Sequence, residues 1–211
     1  VAATDRRHAR AVAYALLAAV AAGLLGGAAT AWAQAVLPGV LAPLANSAGA
    51  WSVLALLIAW RAPGLPAAAG CGVLVLLGLD LGYGVAAELM GNTWLSSTAA
   101  AFWAVCALVV GGPLGVCARL VRRGRAWQAA TAAGAVAGVL VGEAVYGLTV
   151  VAETTPAAYW WGQAVAAGVS LAMVARVRRF PARLVLVAAA VALLSSTAFV
   201  LVYRMNLLSL L

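Results

Sequence analysis

The sequence predicts an all-α polytopic membrane bundle of about seven transmembrane helices, with the N-terminus inside and the C-terminus outside. Three observations carry this. Hydrophobic residues make up 66% of the 211 residues and charged residues only 9%, with a mean hydropathy of +1.07; a soluble domain carries roughly a quarter charged residues. Apolar runs follow one another along the chain, most of them near the ~20 residues a helix needs to cross a bilayer. Basic residues gather between alternate runs. This composition excludes a soluble enzyme, a DNA-binding domain and a secreted disulfide scaffold.

The runs are 11–33, 47–60, 67–90, 99–118, 128–151, 161–175 and 183–203. The first follows Arg6, Arg7 and Arg10 and is long for a signal-peptide core, so it reads as a retained span. The second and sixth are short, and must tilt or borrow residues from their loops. The connection between the first two, 36–47, contains Pro38, Pro43 and Asn46 but no charge. It is too apolar for an exposed loop and is expected to dip back toward the membrane on the outer side. The fourth run contains Pro113, which should kink it. Short loops make consecutive helices antiparallel neighbours.

All thirteen basic residues are Arg. With the N-terminus inside, twelve of them, all but Arg204, fall on the inner side, as positive-inside topology requires. The excess of +8 is therefore a topological label, and no nucleic-acid partner is implied. The expected location is a cell membrane, crossed several times, of the bacterial inner-membrane kind. The chain reads as one transmembrane domain over 1–211. It comprises a basic tail (1–10), repeated helical hairpins (11–61, 67–123, 128–179) and an added helix (183–203).

Two patterns stand out within the helices. Gly-x-x-x-Gly spacing recurs at Gly23/Gly27, Gly78/Gly82, Gly111/Gly115 and Gly134/Gly138/Gly142, where small residues let helix backbones approach closely. A short repeat also appears: Asp80-x-x-Tyr83-Gly84 and Glu143-x-x-Tyr146-Gly147. Each is followed by a second acid, Glu88 or Glu153, then by a Trp-containing outer loop and a returning helix that ends in Arg. Cys71, Cys106 and Cys117 lie in apolar runs without metal-ligand spacing, and His8 stands alone in the tail. No metal site, cofactor motif, phosphate-binding Gly loop or Ser/His/Asp set is present in the sequence.

The five acids are the residues that point to chemistry. An ionisable group near the bilayer centre costs about 2.5–3.5 kcal/mol on the insertion scale and is a functional candidate by default. Asp80 and Glu143 are such groups, with Glu88 nearer the interface. Asp80, Tyr83, Gly84 and Glu88 share one helix face, as do Glu143, Tyr146 and Gly147. The aromatics Trp32, Trp51, Trp94, Trp103, Tyr159, Trp160 and Trp161 map to the outer half, as do Gln34, Asn46, Asn92 and Gln163. Belt anchoring accounts for some of them. Together they also describe the lining of a pocket for a lipophilic small molecule. A neutral carboxylic acid, a second carboxylate and an aromatic wall are what protonation-initiated cyclisation of a prenyl chain requires.

In size, helix count and scarce intramembrane acids among many aromatics, the chain resembles the small integral-membrane terpene cyclases of fungal meroterpenoid and bacterial drimentine-type pathways. The resemblance is architectural and extends along most of the chain. It implies metal-independent cyclisation of a terpenoid chain, with Asp80 and Glu143 as acid and base in either order. Two other functions fit the same residues. One is a proton-coupled or small-molecule transporter, or the substrate-binding subunit of an uptake complex, using the intramembrane acids. The other is a non-catalytic assembly or lipid-binding protein, in which each acid ties helices together through hydrogen bonds. The cyclase reading requires Asp80 and Glu143 to face one aromatic cavity.

Overall fold

The computed structural model describes residues 2–205. The architecture is all-α, with seven α-helices among the described residues: α1 (Ala2–Val36), α2 (Ala48–Ala59), α3 (Leu65–Leu89), α4 (Thr98–Arg123), α5 (Ala126–Thr149), α6 (Ala157–Val177) and α7 (Ala182–Arg204). Stretches of α1, α3, α4, α5 and α7 are long and apolar enough to cross a membrane. The chain is a polytopic helical membrane protein.

Two elements are unusual. With 12 residues, α2 rises only about 18 Å. It is preceded by a 3₁₀ turn, Ala42–Asn46, and by Ser47 in extended conformation (φ −108°, ψ 125°). Within this connection Pro43, Ala45 and Ser47 are buried, whereas Val40, Leu41, Leu44 and Asn46 are exposed. The sixth run gains residues from its loops to become the 21 residues of α6. α4 continues as one helix through Pro113.

The chain forms two compact units. One contains α1 with residues 50–119, and the other contains Leu37–Gly49 with the chain from Leu120 onward. In the first unit, α1 and α3 run parallel along a glycine seam. Gly23 faces Gly78, and a Cβ on Gly23 would lie 2.9 Å from the Gly78 Cα. Four residues on, Gly27 faces the backbone of Leu79 and Tyr83. α4 runs antiparallel to α3, with Gly111 and Gly115 against Gly72 and Ala68. In the second unit, α5 and α7 are the parallel pair: Gly134, Gly138 and Gly142 meet Ala188, Ala192 and Ser196 in order. A Cβ at these positions would meet backbone, so these glycines are needed for close approach.

These directions collect the arginines other than Arg204 at one end of each unit. In the second unit, Arg178 at the end of α6 donates to the carbonyls of Val121, Arg122 and Gly124. Those carbonyls belong to the last turn of α4 and its exit, where helix C-termini leave acceptors unpaired. The three cysteines carry free thiols, and buried Cys71 lies 3.5 Å from the Ala15 carbonyl.

Candidate functional site

Each unit builds its own cluster around one intramembrane acid. In the first unit, Asp80 lies on α3 and is 8% exposed. One turn further, Gly84 has no side chain, and Trp94 and Leu95 from the following loop occupy that space; a Cβ there would lie 2.8 Å from the Trp94 ring. The Trp94 indole N–H donates to Asp80 Oδ1 at 3.2 Å. The exposed Glu88, at the end of α3, accepts the main-chain N–H groups of Trp94 (2.8 Å) and Leu95 (3.1 Å) on one carboxylate oxygen. Gly91, at φ +83°, makes the left-handed turn that sends the chain back. Two carboxylates thus fix one tryptophan, by its ring and by its backbone.

Trp94 packs edge-to-face on Tyr83, with centroids 4.6 Å apart and an interplanar angle of 69°. Beyond Tyr83 come Trp51 at 6.3 Å and then Trp103, 5.8 Å from Trp51. The Tyr83 hydroxyl donates to Gln34 on α1 at 2.9 Å. A cavity of about 210 Å³ opens beside these groups, lined by Gln34, Tyr83, Met90, Asn92, Thr93 and Trp94 together with two alanines. The buried Trp51 indole N–H has no hydrogen-bond partner among the described residues.

In the second unit, Glu143 on α5 is 5% exposed. Its carboxylate accepts the N–H of Ala48 (2.7 Å) on one oxygen. On the other it accepts the N–H of Gly49, the hydroxyl of Ser47 and the side-chain amide of Gln163, each at 2.8 Å. All four partners donate, so the group acts as an acceptor throughout. Ala48 and Gly49 open α2, whose first amides have no intrahelical partner. Glu143 is therefore the cap of that short helix, with the charge sign its N-terminus favours. Gln163 also donates to the Leu140 carbonyl, and Tyr159 lies within hydrogen-bonding reach of Ser47.

The predicted residues divide accordingly. Asp80, Glu88, Tyr83, Trp94, Trp51 and Trp103 form one connected group in the first unit, and Asn92 lines its cavity. Glu143, Gln163 and Tyr159 form the group in the second. Trp160 lies flat over Gly147, and its indole N–H donates to Thr155 at 2.8 Å. Tyr146 stacks edge-to-face with Tyr203 of α7 instead of bonding its neighbouring acid. Trp32 and Trp161 are 63% and 62% exposed and line neither cluster, as belt residues would be. Asn46 is exposed on the 3₁₀ turn. Sequence reasoning missed Ser47, the Ala48 and Gly49 amides, Thr93 and Met90. Only Asn46-Ser47 before an apolar run, a helix-start signal, pointed to any of these. Among the described residues no three His, Cys, Asp or Glu side chains gather to hold a metal ion.

The chain belongs to DUF6518, a family of unknown function, which it matches over residues 6–208. No curated protein and no solved structure matches it.

Proposed function

We propose that this member of a family of unknown function binds a small polar solute in the cavity of its first unit, as a membrane transporter or the substrate-binding subunit of a larger uptake complex. The observation that carries this reading is the cavity itself. Amide, hydroxyl, phenol and indole groups line its wall, and Trp94 is held in place by two carboxylates. Its volume of about 210 Å³ lies below the ~300–1,000 Å³ of sites for drug-sized ligands, so its occupant has few atoms.

The hydrogen bonds of the acids favour this reading over prenyl cyclisation. A cyclising acid must present a free proton to substrate, and its base must be free to take one. Glu143 is saturated by four donors. Asp80 accepts the Trp94 indole N–H.

Mass spectrometry of small molecules copurifying with the protein tests the proposal. A small polar solute retained by the wild type and lost from Tyr83→Ala supports it. A prenylated lipid in its place, converted by the purified protein to a cyclic product without added metal, overturns it in favour of the cyclase.

A further inference from the structure

Resting on the solute-binding reading, we infer that the first unit's cavity selects a small organic cation of the alkylammonium type. Three observations converge on this. The first is the aromatic corner. Tyr83 and Trp94 meet at 69° with centroids 4.6 Å apart. Aromatic faces attract an ammonium group through the ring quadrupole, most strongly where water is scarce.

The second is the polar lining. Tyr83 gives its hydroxyl proton to Gln34, leaving its oxygen lone pairs as acceptors. Asn92 and Thr93 add further oxygens, and no basic side chain lines the cavity.

The third is charge. Asp80 and Glu88 both hold Trp94, and neither is paired with an arginine among the described residues. The carboxylate of Asp80 receives a single N–H, in contrast to the four donors on Glu143. The nearest arginine along this part of the chain, Arg61, precedes α3. It is more than fifteen residues from Asp80, or over ~20 Å along a helix. Asp80 and Glu88 do not line the cavity but bond its Trp94, so the negative charge they carry stands behind the aromatic corner. An anion is repelled, and a neutral solute of the same shape gains nothing from the charge.

The test is calorimetric titration of the full chain in lipid nanodiscs with three probes of similar size: tetramethylammonium, its neutral isostere tert-butanol, and acetate. Tetramethylammonium is expected to bind at least about tenfold more tightly than tert-butanol, with no heat from acetate. Asp80→Asn keeps an oxygen for the Trp94 indole, and Glu88→Gln alters an exposed side chain. Each should weaken the cation severalfold and leave tert-butanol unchanged. Equal or tighter binding of tert-butanol, or cation affinity untouched in both variants, overturns the inference while the solute-binding reading stands. Silence from all three probes also overturns it, and the copurification experiment then decides the broader reading separately.

Discussion

The two acid-x-x-Tyr-Gly segments have the same pattern and opposite uses for their acids. In both, the glycine seats a tryptophan from the chain that follows: Trp94 over Gly84 and Trp160 over Gly147. In the first, the indole N–H reaches back to the acid of its own segment, Asp80. In the second, Thr155 takes the indole N–H, and Glu143 is left to serve the start of α2. A carboxylate with four donors is a structural anchor. A carboxylate with one donor, behind an aromatic corner and its cavity, carries far less of the local structure. The difference follows from which donors fold within reach, and not from the segments themselves.

Replacing the acids separates the two roles most sharply. Glu143→Leu leaves the Ala48 and Gly49 amides and the Ser47 hydroxyl without this acceptor, and takes one of two acceptors from the Gln163 amide. It should cost roughly 3 kcal/mol or more, at ~1–3 kcal/mol per orphaned group. Asp80→Leu should cost only about 1 kcal/mol. Thermal denaturation in detergent measures both, and equal losses would erase the distinction drawn here.

Next in size are the tryptophan seats. Gly147→Ala drives a methyl into the buried Trp160 ring and should cost about 2–3 kcal/mol. Gly84→Ala meets the half-buried Trp94, which can shift, and should cost about 1 kcal/mol. A reversal of that order would mean that Trp94 is the more rigidly held of the two. Thr155→Val and Trp160→Phe should each lose about 1 kcal/mol, and the double variant no more than the larger single loss plus the change in ring packing, because they remove one shared bond. The smallest effect belongs to Asp80→Asn. It should move stability by less than ~0.5 kcal/mol while lowering cation affinity, which would separate the charge of that acid from its structural bond to Trp94.

The helices were readable because hydrophobicity in a membrane chain needs little tertiary information. Each apolar run appears as a helix with ends shifted by a few residues, or by more where α1 extends back through the basic tail. The glycine spacing was legible as close packing, but not which helices pair. That α1 lies parallel to α3, and α7 to α5, depends on a segment returning between them. Asp80 and its neighbours Tyr83, Trp94 and Asn92 were found because they are rare, aromatic or polar, and close in sequence. The partners of Glu143 are hidden in the sequence for the converse reason. Two of them are main-chain amides of Ala48 and Gly49, which carry no residue signature, and they lie far earlier in the chain. Tyr146 shares a helix face with Glu143, yet its ring meets Tyr203 of α7.

That sequence distance also bears on the order of events during synthesis. Asp80 meets Trp94 only 14 residues later, so the first cluster can close almost as soon as α3 is followed by its loop. The amides of Ala48 and Gly49 wait for a carboxylate 95 and 94 residues downstream. At about 5–20 residues per second, that delay is roughly 5–20 s. Throughout that interval the start of α2 holds bare N–H groups that hydrocarbon cannot satisfy. The segment 37–49 must therefore stay at a wet surface or inside the insertion machinery until α5 emerges. Glu143 is in this sense a late-arriving latch, and its loss should show first as slow or failed membrane integration of the nascent chain.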